Sequence, residues 1–359
     1  MRPSAPRTIV VGAGIVGASI AYHLARRGAA VTVVDRGDPA SQATRRSFGW
    51  INVSHGMPEA YHRLRQLALQ EYRRLQDELD GALPLDRCGA LVWQREPAAT
   101  ERFVRAQAAW GYQIRLLERD AIAALEPNLI EPPACAAHAI SEAAIEPSVG
   151  CAILLDAARR AGATIRFGTE VTALAASDRA ITGIRTADGV LRAEVVVLAA
   201  GVGTAALCAP QGVALPMDCS PAWLLRFRAP GRLIRTVISS PELEIRQSSD
   251  GRLLAAEDYA AGSSPDDAAA IARATLATIK RCLRGADGVR VEGARAGMRP
   301  IPADGLPVVG FSAAIRGLYL AVMHAGVTLA PAVGRFAATE IVDGASVPAL
   351  DPCRLERFV

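Results

Sequence analysis

The apolar and small residues at the start of the chain predict a strand, a tight turn, a helix and a second strand. An apolar run at residues 8–11 leads to Gly12, Gly14 and Gly17, and the next apolar run ends on Asp35. Glycines at this spacing permit a sharp turn and close backbone approach, and the following helix N-terminus offers free N–H groups to an anion. Asp35 stands where a carboxylate accepts a hydrogen bond from a ribose hydroxyl. The order predicts a Rossmann unit that binds a dinucleotide.

The pattern changes character after this unit. A polar loop at residues 41–50 and an amphipathic helix, with apolar residues at helical spacing from Leu64 to Leu79, complete the first region. Residues 84–140 and 215–295 instead alternate short strands with helices. This alternation is typical of an inserted domain and does not continue a Rossmann unit.

The segment between these two stretches returns to the first pattern. A helix at residues 149–161 leads to an Asp188-Gly189 hairpin and to a buried strand at residues 195–198. A strand and a helix that starts at Gly326 close the chain. The elements together predict an α/β fold, in which an α+β domain with an antiparallel sheet is inserted into a Rossmann-like domain.

Composition and charge exclude several kinds of function. The 359 residues are enough for two domains, and 40 cationic against 36 anionic side chains, without a long block of one sign, give no patch for nucleic acid or a membrane surface. The seven cysteines form no CxxC pair, so we expect no disulfide framework, no metal site and a reducing cytoplasm. The apolar run at residues 195–209 is too short to cross a bilayer, so no transmembrane segment is expected.

Seven motifs follow one another along the chain. They are the glycine turn with Asp35, Thr44-Arg-Arg-Ser47, Ile145-Glu-Pro147, Gly168-Thr-Glu-Val171, Ala199-Ala-Gly201, the stretch 296–307 and the stretch 325–331. In this order they resemble the D-amino-acid oxidase superfamily of flavoproteins, in the branch of glycine oxidase, sarcosine oxidase and the amino-acid and hydroxyproline dehydrogenases. The resemblance covers nearly the whole chain.

The resemblance implies a division of the chain into two domains. The FAD-binding domain would consist of residues 1–83, 141–214 and 297–359. The substrate domain would be inserted as residues 84–140 and 215–296.

The resemblance also assigns the cofactor to FAD, held without a covalent bond. Sarcosine-oxidase relatives attach flavin through a cysteine near the motif of Arg299, and residues 294–300 contain none. The helix from Gly326 would direct its N-terminus at the pyrimidine ring, where a reduced flavin carries negative charge. The residues implied to contact FAD are Gly12, Gly14, Ile15, Val16, Gly17, Asp35, Arg36, Ser41, Thr44, Arg45, Arg46, Ser47, Val171, Ala200, Gly201, Arg299, Gly326, Val327 and Thr328.

Oxidation of an amine beside a carboxylate requires a cation for the carboxylate and a dry pocket. Arg299 is the expected cation, because its planar fork matches a carboxylate bidentately and the resemblance places an arginine here. His324 precedes the Gly326 helix, where it either contacts substrate or flavin, with a pKa that allows pH-dependent behaviour, or only packs. The other histidines show no metal-ligand spacing and are interpreted as structural or exposed: His23, His55, His62 and His138.

Residues 243–247 depart from the family pattern, which often has a tyrosine that reaches the substrate. Glu244 and Arg246, two apart on a strand, share one face. If these side chains face the pocket, they would bind a polar or cationic side chain of the substrate. If they face water, they would have no role, and this is the arrangement that we expect. Trp50 lies beside the phosphate loop, where some relatives place a gating histidine, and it either walls the pocket or belongs to the core.

The leading hypothesis is FAD-dependent oxidation of a small amino or imino acid to an imine, by hydride transfer to flavin N5. The substrate would be a D-amino acid, glycine, an N-methyl amino acid or a hydroxyproline. An NAD(P)-dependent dehydrogenase would also use the glycine turn, but it gives no role to residues 199–201 or to the Gly326 helix. A flavin-bearing subunit of a multi-subunit amino-acid or opine dehydrogenase is the other alternative.

The electron acceptor is expected to be something other than oxygen. Sarcosine-oxidase relatives use a lysine to activate oxygen, and the single lysine of this chain, Lys280, stands on a polar-faced helix far from the flavin motifs. The sequence therefore favours a dehydrogenase that passes electrons to a quinone-like acceptor or to partner subunits.

Overall fold

Two large sheets, one mainly parallel and one mainly antiparallel, organise the chain. The structure is a computed structural model that describes residues 5–258 and 267–358. Over these residues the helices, numbered in chain order, are α1 (Ile15–Arg26), α2 (Glu59–Glu78), α3 (Pro97–Ala109), α4 (Arg119–Leu125), α5 (Pro147–Arg160), α6 (Thr204–Cys208), α7 (Ala268–Cys282) and α8 (Gly326–Ala338).

The strands are also numbered in chain order. They are β1 (Thr8–Val11), β2 (Val31–Val34), β3 (Trp50–Ile51), β4 (Leu85–Asp86), β5 (Ala90–Val92), β6 (Arg115–Glu118), β7 (Cys135–Ala139), β8 (Ala143–Ile145), β9 (Thr164–Arg166), β10 (Ala173–Ser177), β11 (Ala180–Thr186), β12 (Gly189–Arg192), β13 (Val195–Leu198), β14 (Met217–Arg228), β15 (Val237–Ser239), β16 (Glu244–Gln247), β17 (Arg252–Asp258), β18 (Arg290–Pro302), β19 (Val308–Phe311) and β20 (Leu318–Val322).

The parallel sheet has the strand order β19-β20-β13-β1-β2-β9, in which only β19 runs antiparallel to its neighbour. Its central strands β1 and β13 are short runs rich in valine, isoleucine and leucine, as expected of strands that are buried on both faces. On one face, Val10 and Val197 pack with α1, α5 and α8. On the other, Ile9 and Val196 pack under β10, β11 and α6.

The antiparallel sheet combines strands from distant parts of the sequence. Its order is β18-β14-β17-β16-β15-β5-β7-β6, and β5 pairs with β15 in parallel, with Ala90 opposite Val237. The helix α7 covers one face through Ile279, which lies in a cluster with Trp223 and Phe227. The antiparallel sheet therefore has a hydrophobic core of its own, separate from that of the parallel sheet.

The predicted fold class is confirmed, because an antiparallel sheet built from two insertions accompanies a Rossmann-like parallel sheet. The domain boundaries stay a prediction. The strand β18 runs through the predicted boundary at residue 297, and β4 pairs with β8 outside the antiparallel sheet. The last helix starts at Gly326, as predicted, and after Ala338 it continues as one π-helical turn, Thr339–Asp343.

Candidate active site

A cavity of about 1210 Å³ lies between the two sheets. The carboxyl ends of β1, β2 and β13 form one wall, and residues of β14, β16, β17 and β18 form another. Open parallel sheets bind ligands beyond the carboxyl ends of their strands. The volume exceeds the range of about 300 to 1000 Å³ for pockets that hold one small ligand, so the cavity has room for a large ligand and a second molecule.

The glycine turn brings α1 and β13 together backbone to backbone. Gly12 has φ +110°, and a side chain there would overlap the carbonyl oxygen of Ala199. A side chain on Gly17 would overlap the carbonyl oxygen of Gly12. The turn therefore exposes bare backbone to the cavity, as a pyrophosphate site requires.

The carboxylate of Asp35 is fixed at the end of β2. Its Oδ2 accepts a hydrogen bond from the N–H of Ala13 at 2.7 Å, and its Oδ1 accepts one from the N–H of Gly37 at 2.8 Å. Each oxygen keeps a further lone pair for a ligand hydroxyl. Asp35 thus orients the glycine turn while it faces the cavity.

The loop of residues 41–47 covers the N-terminus of α1. Thr44 Oγ1 accepts a hydrogen bond from the N–H of Ile15 at 3.1 Å, so its hydroxyl caps the helix. The predicted FAD contacts that reach the cavity wall are Gly12, Gly14, Ile15, Val16, Asp35, Arg36, Ser41, Thr44, Arg46, Ser47, Val171, Ala200, Gly201, Arg299, Gly326, Val327 and Thr328. Gly17 packs behind the turn, and Arg45 is exposed to solvent away from the wall.

Arg299 reaches the cavity from β18 with its charge already matched. Its Nη1 lies 2.9 Å from Asp258 Oδ1, and its Nη2 donates to Ser220 Oγ at 2.8 Å. The Asp258 side chain is 83% exposed, so this ion pair is open to water and exchangeable. An incoming carboxylate can therefore replace Asp258 on the guanidinium.

Glu244 lines the cavity, so the expectation that this segment faces water was wrong. Burial and the nearby carboxylate of Asp258 raise its pKa to about 7, against a hydrogen bond from Ser239. Arg246 is 2% exposed and ties the loop at Phe48 to the carboxylate of Glu146, so it has a structural role. The alternation along the strand predicted that Glu244 and Arg246 share one face. It did not show that segments remote in sequence, at Phe48 and Glu146, cover that face.

His324 and His55 both stand in the cavity wall. Burial, with help from Arg299 and Arg65, lowers the pKa of His324 to about 4. Burial, with help from Arg65, also lowers the pKa of His55 to about 4. Both residues nevertheless keep solvent-exposed surface inside the cavity. The lowered pKa values favour the neutral imidazole at pH 7.

Trp50 lines the cavity and is also held in the core. Its Nε1 donates to Glu142 at 2.8 Å, and the ring lies edge-on to His55 with centroids 4.9 Å apart. Glu142 is fully buried and also accepts from the N–H groups of Val53 and Ser54 and from the hydroxyl of Tyr112. Burial raises the pKa of this carboxyl, against these hydrogen bonds. One side chain thus fixes the whole loop that follows β3.

Asn52, His55 and Arg65 are among the wall residues to which sequence reasoning gave no role in the site. Arg65 lies on the buried face of α2 with Tyr61, Leu64 and Ala68. A cation on the apolar face of an amphipathic helix is rare without a partner. The position of Arg65 in the helical pattern was therefore the one signal in the sequence for a buried charge.

Comparisons with known proteins agree with this geometry. Residues 7–340 match the family model described as FAD dependent oxidoreductase. The chain belongs to this family. It is 26% identical over 348 residues to the glycine oxidase of Bacillus licheniformis, covering 93% of this chain and 92% of that protein. It is 26% identical over 435 residues to a D-amino acid dehydrogenase of Cereibacter sphaeroides, covering 98% and 95%. The solved iminodiacetate oxidase of Chelativorans sp. BNC1 superposes with a TM-score of 0.85 at 25% identity, covering 97% and 98% of the two chains.

The cavity of this FAD-dependent oxidoreductase fits the cofactor of its family. Bare backbone at Gly12 and Gly14, the fixed carboxylate of Asp35 and the start of α8 at Gly326 all face one continuous space. The chain presents no candidate metal cluster within the described residues. No helix in residues 5–258 and 267–358 is long and apolar enough to span a membrane.

We expect Asp35→Ala to weaken FAD binding by on the order of ten- to a hundredfold, because a buried charge-assisted hydrogen bond contributes about 1.5 to 3 kcal/mol. The measurement is titration of FAD into apoprotein, followed by flavin fluorescence. Asp38→Ala, an exposed neighbour in the same loop, is the matched control and should bind FAD like the unchanged protein. Equal affinity of the two variants would contradict the role of Asp35.

Proposed function

We propose that this protein oxidises a small amino or imino acid to an imine with FAD as cofactor. The substrate would be a D-amino acid, glycine, an N-methyl amino acid or a hydroxyproline. The observation that carries the proposal is the single cavity that joins the dinucleotide site at Gly12 and Asp35 to the ionisable cluster of Arg299, Glu244 and His324. The amino-acid oxidases and dehydrogenases among its relatives support it.

The residues of the cluster have separable roles in this proposal. Arg299 exchanges Asp258 for the substrate carboxylate and so orients the carbon next to nitrogen. Glu244, when ionised, accepts the proton that the substrate ammonium must lose before it can become an imine. Trp50 and the neutral ring of His324 wall the site without adding charge. When bound, FAD supplies the acceptor for the hydride, and water then hydrolyses the released imine.

The test is anaerobic mixing of the flavin-loaded protein with D-amino acids, glycine, sarcosine and the hydroxyproline isomers. Loss of flavin absorbance with at least one of them is expected. Flavin that stays oxidised with every compound in the panel would reject the proposal.

We further propose that FAD is held without a covalent bond to cysteine. None of the seven cysteines lines the cavity, and Cys219, which lies opposite Pro300 on β14, is exposed outside it. Denaturation should release all of the yellow colour into the supernatant. Flavin absorbance left on the washed precipitate would show a covalent link.

Arg299→Met should leave FAD bound but lower the efficiency of flavin reduction by about thirtyfold or more. A substrate that displaces Asp258 covers the guanidinium, and removal of one partner of a charge pair that is desolvated in this way costs about 2 to 5 kcal/mol. Stopped-flow absorbance under anaerobic conditions measures the efficiency. Arg295→Met, exposed on the same strand, serves as control. If both variants reduce at the unchanged rate, the carboxylate binds elsewhere.

Flavin reduction should accelerate as pH rises through about 7, and Glu244→Gln should remove this step. Arg299, Asp258 and Glu257 face Glu244, and its raised pKa of about 7 places ionisation there. Between the ordinary glutamate range and pH 7 the folded protein holds a proton that the unfolded chain has lost, so this group makes stability fall as pH rises. Glu244→Gln should also remove that slope from unfolding curves, whereas the exposed Glu118→Gln should keep both dependences.

We propose that electrons leave to a quinone-like acceptor or to partner subunits and not to oxygen. Lys280 is exposed on α7, and no lysine lines the cavity. Reduced enzyme mixed with air-saturated buffer should therefore reoxidise slowly, while an artificial quinone should restore the oxidised spectrum quickly. Fast reoxidation with stoichiometric peroxide would identify an oxidase.

A further inference from the structure

Among the arginines of the cavity wall, Arg65 is more deeply buried than Arg299. The Arg65 residue is 5% exposed, and its guanidinium carbon lies 4.5 Å from the ring centroid of Tyr61. It lines the cavity from α2, whereas Arg299 lines the same cavity from β18. His55 and His324 line this cavity too, and the charge of Arg65 helps to lower the pKa of both.

Most of the hydrogen-bonding capacity of Arg65 is unused. A guanidinium has five N–H donors. One Nη1 donor is taken by Asn52 Oδ1, and one Nη2 donor by the hydroxyl of Tyr61 at 3.1 Å. Three N–H donors therefore remain unused. One of them is on the buried Nε, which has no acceptor in the described part of the chain. Both acceptors are neutral, so they hold the group in place without balancing its charge.

Three other arginines with limited exposure each pair with a carboxylate. Arg246 pairs with Glu146 at 2.8 Å, Arg354 pairs with Glu340, and Arg299 pairs with Asp258. Arg65 makes no ion pair with any residue of 5–258 and 267–358. A buried, unpaired cation is strongly unfavourable, so it persists where a ligand supplies the anion.

We propose that Arg65 forms a second anion subsite in the cavity and that the substrate is an amino or imino acid with two carboxylates. This inference rests on the proposed function, in which Arg299 takes the first carboxylate. The second carboxylate binds the free donors of Arg65 in the same cavity. Acidic D-amino acids and N-(carboxyalkyl) amino acids have this chemistry, whereas their amides lack the second charge.

Acid and amide pairs of equal shape test the proposal on the flavin-loaded protein. Glutarate and its monoamide, and succinate and its monoamide, are titrated while the flavin absorbance is followed, so no turnover is needed. The unchanged protein should bind each diacid at least about thirtyfold more tightly than its monoamide, as expected for a desolvated charge pair. The D-glutamate and D-glutamine pair should show the same preference in flavin reduction.

Arg65→Gln should abolish this preference and leave monoamide affinity within about threefold. Arg65→Lys keeps the charge and should therefore retain part of the preference for the diacid. This variant replaces Arg65→Gln in the test if the glutamine variant does not fold. Arg63→Gln is the matched control, because Arg63 lies on the same helix, is exposed and pairs with Glu59. The flavin midpoint potential should be equal in Arg65→Gln and Arg63→Gln.

Three outcomes would overturn the inference. Equal binding of diacid and monoamide by the unchanged protein, with amino acids still reducing the flavin, rejects the second carboxylate and leaves the proposed function intact. A shifted potential with unchanged ligand preference in Arg65→Gln assigns Arg65 to the cofactor. Failure of every amino acid to reduce the flavin and of every carboxylate to perturb it rejects both the inference and the proposed function.

Discussion

The backbone contact between the Gly12 turn and Ala199 is the constraint on which the rest of the site depends. Gly12 has no side chain to separate it from the carbonyl oxygen of Ala199, so β1, β13 and the start of α1 lie close together. The N–H of Ala13 then reaches Asp35, which fixes the end of β2 relative to the turn. A single steric condition thus aligns the glycine backbone, the carboxylate and the helix N-terminus along one wall of the cavity.

The opposite walls differ in how their charges are balanced. On the sheet side, Arg299, Asp258 and Glu244 form a cluster that is partly open to water and can exchange partners. On the α2 side, Arg65 is enclosed by neutral groups and keeps its charge unmatched. In the proposals made above, charge selection would depend on both the exchangeable pair at Arg299 and the unmatched charge of Arg65.

Local patterns predicted the parts of the molecule that are built from neighbouring residues. The glycine spacing and the acid after β2 identified the dinucleotide site, because strand, turn and helix are contiguous there. The covered face of β16 was not predictable, since Phe48 and Glu146, which enclose Arg246, are remote in sequence. His55 is exposed, as its interpretation allowed, but nothing near it in sequence shows that it lines the cavity edge-on to Trp50.

The buried carboxylate of Glu142 makes one part of the cavity wall depend on the protein core. Its carboxylate joins the loop after β3 to Tyr112, so the contour of that wall is set by interior packing and not by the residues that touch a ligand. A substitution in this loop would disturb the core before it altered ligand fit. A change in the size of ligand that the cavity accepts is therefore expected to require less rearrangement in other parts of the wall than in this loop.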